Sequence, residues 1–250
     1  MTQIPAKRIA IIGVTSAIAE QIARRLAAQG AALYLTGRDT GRLEAIAADL
    51  RVRGAARVDF ERLDVTEAAA LAGVVARAVA ALGGLDTVIV AAGLLPDQTR
   101  VNADANLLRE TLEVNAIGPM VVLNAAAAFF EQQGHGRLVA IGSVAGDRGR
   151  AANCAYGAAK GALEIFLSGL RQRLHGRGVQ VLLVKPGFVD TPMTADFAKG
   201  PLWASPERVA QDIVKAMEQG RAVIYTPWFW RWILLIIRSI PERLFVRLRF

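Results

Sequence analysis

Sulfur and imidazole are scarce in these 250 residues, with one cysteine, Cys154, and two histidines, His135 and His175. A lone cysteine excludes an intramolecular disulfide. Neither histidine has a ligand partner at useful spacing, so no metal site is expected and both read as structural or solvated. Internal repeats and low-complexity linkers are also missing, which leaves no natural boundary for a second folded domain. No secretory signal precedes the first apolar run, and a cytoplasmic setting is expected. Acids are outnumbered by bases, 22 to 30, giving a formal net charge of +8. Such a balance permits contact with nucleic acid. The excess is concentrated in a greasy C-terminal tail without a recognition helix or RNA-binding signature, so no nucleic-acid partner is expected.

What is present is a regular alternation of short apolar runs and helical stretches. Strands are expected at 8–12, 31–36, 56–63, 86–91, 136–142, 179–184 and 222–225. Helices are expected at 17–29, 41–53, 67–82, 104–132, 153–175 and 206–219, with a lid around 190–204 hinged near Lys199, Gly200 and Pro201. This alternation demands a parallel sheet with helices on both faces. The fold class is therefore α/β, a single doubly wound, Rossmann-like domain over residues 1–226, followed by a tail at 227–250.

Tyr156 and Lys160 stand four residues apart, about one helical turn, so phenol and ammonium project from one helix face. A nearby cation is expected to favour phenolate and bring the tyrosine towards a working pKa. Ser143 follows the apolar run Arg137–Gly142, which places a hydroxyl at a strand's C-terminal end beside that helix. At the other end of the chain, the run Arg8–Ile12 closes on Gly13 and continues through Thr15, Ser16, Ala17 and Ile18 into a helical pattern. Strand, tight turn and helix start in that order offer amide groups and a positive dipole end to a pyrophosphate.

Together these residues resemble the short-chain dehydrogenase/reductase family, from about residue 7 to 225. The family's glycine-rich first turn keeps Gly13 here but carries Ala17 and Ala19 in place of its second and third glycines. Asp64 and Val65 match its adenine-contacting pair, and Val90-Ala91-Ala92-Gly93 stands where the family has Asn-Asn-Ala-Gly. Asn115 matches the asparagine that completes a proton relay with Lys160, and Pro186, Gly187 and Thr191 match the segment holding the nicotinamide carboxamide. The resemblance implies an enzyme in which hydride passes between nicotinamide and a carbonyl carbon. Tyr156 delivers the proton, Lys160 supports it and contacts the ribose, and Ser143 stabilises the oxygen. Gly37 stands where an NAD enzyme of this fold places an acid, and Arg38 follows it. A guanidinium suits a 2′-phosphate, so NADP is the expected cofactor, with NAD as the alternative.

The end of the chain departs from an ordinary family member. From Arg221 onward six arginines face one acid, Glu242, so this part carries net +5. The apolar stretch Trp228–Ile240 is thirteen residues long, short of the roughly 20 a membrane-spanning helix needs. Tryptophans, apolar bulk and arginines suit a helix lying on an anionic membrane, peripheral to its inner face; the alternative is burial against a second subunit. The tail resembles that of reductases acting on a polyprenyl-phosphate keto-pentose, which implies a lipid-linked ketone, with Arg148 or Arg150 meeting its anionic headgroup or solvated. A soluble 3-oxoacyl carrier-protein reductase and a non-enzymatic dinucleotide-binding scaffold are the competing readings. The family also implies a homodimer or homotetramer formed through 104–132 and 153–175.

Overall fold

A computed structural model describes residues 7–248. Seven parallel strands form one sheet: β1 (Arg8–Ile12), β2 (Ala32–Gly37), β3 (Arg57–Arg62), β4 (Thr87–Val90), β5 (Gly136–Ile141), β6 (Val179–Pro186) and β9 (Val223–Thr226), in spatial order β3-β2-β1-β4-β5-β6-β9. Both sheet faces are covered, which is why the inner strands are apolar in nearly every position, whereas the edge strand β3 alternates polar and apolar residues. On one face α1 (Ala17–Ala27), α2 (Thr40–Val52) and α9 (Pro206–Glu218) bury Ile22, Leu43 and Ile213. On the other, α4 (Val74–Leu82), α7 (Gly118–Gln133) and α8 (Cys154–Arg173) bury Ala78, Leu123, Phe130 and Leu167. Strand order reverses between β1 and β4, opening a crevice beyond their C-terminal ends.

Two expected helices are subdivided and one helix is added. The stretch 67–82 breaks at Gly73 into α3 (Ala68–Leu71) and α4. An unforeseen α5 (Gln98–Ala103) precedes α6 (Ala105–Leu112), each started by an aspartate: Asp97 accepts from the amides of Thr99 and Arg100, Asp104 from those of Asn106 and Leu107. Between α6 and α7 the helix widens into a π-turn, Glu113–Ile117, with Asn115 at its centre. The two ends of the lid are joined by a small sheet, β7 (Phe188–Val189) just before it against β8 (Trp203–Ala204), where the Phe188 and Trp203 rings stack 5.4 Å apart.

The tail folds back on its own chain as α10 (Trp230–Ser239) and α11 (Glu242–Phe245); Arg249 and Phe250, the last of the expected tail, lie outside the described residues. Trp230 and Leu234 are buried with Val144, just after β5. Arg148 is neither solvated nor available to a headgroup, contrary to both sequence expectations. Its guanidinium donates to the carbonyls of Ile237 and Ile240 (2.6 Å each) and to the Glu242 carboxylate (2.8 Å), and lies 3.6 Å from the centre of the Phe245 ring. The last carbonyls of a helix have no intrahelical partner, and a cation there satisfies them and the negative dipole end, worth up to about 2 kcal/mol when partly buried.

Candidate active site

Gly13 turns the chain out of β1 at φ +82°, a left-handed conformation that favours glycine. A Cβ here would also sit 2.8 Å from the amide nitrogen of Ala92, so the β1 turn and the strand end after β4 touch backbone to backbone. The next residues lead into α1, whose first amides lack intrahelical partners; Ser16 at its N-cap makes no side-chain capping bond. The helix therefore presents open N–H donors to the crevice, a fit for a pyrophosphate.

At the end of β2 the fold separates an acid from two cations. Asp39 is occupied as the N-cap of α2, accepting from the Arg42 amide at 3.0 Å. Arg42, which the sequence reading missed, comes round one turn later and lines the same crevice as Arg38, its guanidinium donating to the Thr15 carbonyl at 3.1 Å. A side chain at Gly37 would press on Thr15 Cγ2 at 3.1 Å, so this position stays bare. Burial works against the Asp64 carboxylate, but the Thr66 amide and hydroxyl (3.0 and 2.9 Å) with Arg38 and Arg62 outweigh it and hold the carboxyl below its ordinary pKa.

At the opposite end, Ser143 leaves β5 as the cap of a 3-10 turn, Val144–Gly146, its Oγ accepting from the Ala145 amide at 3.1 Å. That bond leaves the hydroxyl proton to point elsewhere. α8 approaches this turn closely because Gly157 has no side chain: a Cβ there would stand 2.9 Å from the Ala145 carbonyl. The spacing Tyr156-Gly157-Ala158-Ala159-Lys160 thus puts the phenol beside Ser143 and the ammonium behind it. Lys160 is 4 % exposed, donates to the Ile141 carbonyl at 3.0 Å, and lies 5.7 Å from the Tyr156 ring centre.

Electrostatically the pair corrects the sequence expectation. Burial pushes the Tyr156 phenol up, and the Ser143 hydroxyl pulls it only partly back. Burial also draws Lys160 down from 10.5 to about 8. Desolvation is the leading cause for both groups, so burial sets the direction of each shift and favours the protonated phenol.

Asn115 is fully buried, and its amide is spent on the backbone: Nδ2 donates to the carbonyls of Leu94 (2.7 Å) and Thr111 (2.9 Å), and Oδ1 accepts from the Leu94 amide at 3.1 Å. It clamps the segment after β4 without lining the crevice. Every other site residue named from sequence does line it: Gly13, Thr15, Ser16, Ala17, Ile18, Arg38, Asp64, Val65, Ala92, Gly93, Ser143, Tyr156, Lys160, Pro186, Gly187 and Thr191 surround one cavity of about 620 Å³. Thr191 caps a short turn, Pro192–Thr194, at the start of the lid. Phe188, Met193 and Phe197 complete the apolar wall near Tyr156 without any motif to mark them.

Comparison with known proteins agrees with this geometry. The family model described as short chain dehydrogenase matches residues 7–201. An uncharacterized oxidoreductase of Mycobacterium tuberculosis is 38% identical over 234 residues, covering 94% of each chain. One from Streptomyces coelicolor is 35% identical, covering 98% of this chain and 96% of its own. A third, from Staphylococcus saprophyticus, is 29% identical over 220 residues, covering 88% of this chain and 94% of its own. The chain belongs to the short-chain dehydrogenase/reductase family and is an NAD(P)-dependent oxidoreductase.

Proposed function

We propose that the enzyme reduces a ketone to a secondary alcohol with NADP as cofactor and Tyr156 as general acid, on a lipophilic or lipid-linked substrate such as a polyprenyl-phosphate keto-sugar. The observation that carries the reading is the convergence of Ser143, Tyr156 and Lys160 on one end of a cavity whose other end offers the open amides of α1 and two guanidiniums. Gly13, Thr15, Ser16, Ala17 and Ile18 would hold the pyrophosphate, and Asp64, Val65, Ala92 and Gly93 the adenosine side. Pro186, Gly187 and Thr191 would hold the nicotinamide. Arg38 has no ion pair of its own among the described residues, and with Arg42 it favours a 2′-phosphate.

When bound, the nicotinamide supplies the hydride. Tyr156 Oη gives its proton to the oxygen of the reduced carbonyl while the Ser143 hydroxyl donates to the same oxygen. Lys160 Nζ, anchored on Ile141, carries the charge that stabilises the tyrosinate left behind. Asn115 serves as a positioning residue, fixing the Leu94 backbone beside Gly93.

The tail supports a lipid setting. After α10 has packed on the body, Trp228 and Ile236 remain 68% exposed, with Trp232, Leu244 and Val246 also exposed among Arg231, Arg238 and Arg243. An apolar face ringed by cations suits a peripheral site on the inner face of an anionic membrane. Exposed Leu108 on α6, Ile117 on the π-turn, Val121 on α7 and Ile165 on α8 support a homodimer or homotetramer. The test of the chemistry is Tyr156→Phe: reduction of ketones by NADPH should fall about a hundredfold or more while NADPH binding is kept. Unchanged turnover would refute the assignment.

A further inference from the structure

Arg150 stands in the cavity wall six residues before Tyr156, and no acid among the described residues forms an ion pair with it. Its neighbour Arg148 is fully engaged with α10 and α11, whereas the Arg150 guanidinium makes no hydrogen bond or ion pair among the described residues. The nearest acid, Asp147, is committed elsewhere: Oδ1 lies 2.8 Å from buried Lys185 and Oδ2 accepts from the Tyr225 hydroxyl at 2.7 Å. The acids that line the cavity, Glu20 and Asp64, belong to its dinucleotide end, where Glu20 pairs with Arg24 at 2.7 Å and Asp64 binds Thr66. Burial, the larger cause, pulls the Arg150 pKa down against the weaker attraction of Asp147. Asn153, also in the wall, has a buried Oδ1 with no donor. A half-buried guanidinium and an orphaned acceptor flanking the catalytic tyrosine cost free energy in the free protein unless a ligand supplies their complements.

We propose that Arg150 is the specificity-determining cation of this enzyme, so that its ketone substrate carries a phosphate or carboxylate on the carbonyl-bearing part, with a hydroxyl that donates to Asn153. The apolar wall of Leu95, Val144, Phe188, Met193 and Phe197 receives the rest of the molecule. The inference rests on the reading of Tyr156 as the proton donor, which fixes this end of the cavity as the substrate end.

The experiment is a titration of the full chain, with saturating NADP, by decyl phosphate, decanol and inorganic phosphate, followed by intrinsic fluorescence and calorimetry. Decyl phosphate should bind at least about tenfold more tightly than decanol, the scale of one charge-assisted hydrogen bond. Arg150→Gln should erase that difference, Arg150→Lys should keep part of it, and the NADP dissociation constant should not change in either. Arg238→Gln, on the tail, should leave it intact. Competition by inorganic phosphate at similar concentration would point to a soluble phosphorylated ketone, and its failure to compete to a lipid-borne anion. A preference that survives Arg150→Gln, or a parallel loss of NADP affinity, overturns the proposal. A failed reductase reading would instead appear as undiminished turnover in Tyr156→Phe, with the binding contrast untouched.

Discussion

Replacing Gly187 by alanine should detach the tail from the body. Gly187 follows β6, and its amide donates to the Thr226 carbonyl at 3.0 Å. The face where a Cβ would project is covered by the indole of Trp230, with Nε1 at 1.8 Å, Cε2 at 2.0 Å and Cδ1 at 2.4 Å from that position. An overlap of this depth is not relieved by shifts of a few tenths of an ångström; the whole ring must leave. Trp230 is 3 % exposed, and emptying a buried tryptophan site costs about 3–5 kcal/mol when no repacking occurs. Partial refilling by Leu234 and Ile233 lowers this, so about 2–4 kcal/mol of docking free energy should be lost. The Arg148 contacts, worth up to about 2 kcal/mol at a helix end, do not offset it. Tryptic cleavage at Arg231 and Arg238 should accelerate by about tenfold or more, and tryptophan emission should shift to the red. Trp230→Ala should reproduce both effects without altering the cavity-lining position 187. Tail resistance and emission identical to the parent, with native circular dichroism in both variants, would refute the reasoning.

Other expectations are briefer. Lys160, with its pKa depressed to about 8, is charged below that pH and neutral above it, so ketone reduction should fall as pH rises through about 8. Lys160→Gln should lose about a hundredfold or more in kcat and show no bend there. Arg38→Ala with Arg42→Ala should weaken NADP binding by roughly a hundredfold, measured by fluorescence titration, and leave NAD within about threefold. Arg148→Ala should speed proteolysis of α10 and α11 while the melting temperature of the sheet domain changes by only a few degrees.

The inner sheet and its crevice were legible because parallel strands buried on both faces write themselves as apolar runs, while the edge strand β3 shows itself by alternation. The tyrosine–lysine spacing was likewise legible, since one helical turn fixes which side chains share a face. Its electrostatics were not: spacing reports proximity, whereas the state of Tyr156 and Lys160 depends on how much water the fold removes. α5 was marked by Asp97 as a cap, a signal present but unused. The π-turn at Asn115 has no such marker, because one extra residue in a helix leaves its apolar period nearly unchanged. The tail's composition said that it must cover something, but composition does not say which surface. Its seat on Gly187 and Val144 depends on a gap formed by residues some forty and ninety positions away.

The reach of Arg148 to the carbonyls of Ile237 and Ile240 has a consequence for engineering. The loop after Ser143 and residues 230–245 should behave as a single exchangeable cassette, although about ninety positions of sequence separate them. A chimera that grafts another relative's tail onto this body would leave Arg148 facing foreign carbonyls, and one that grafts the loop alone would strand α10. Transplanted together, with Gly187 left open for an indole, the two pieces carry their own fastening.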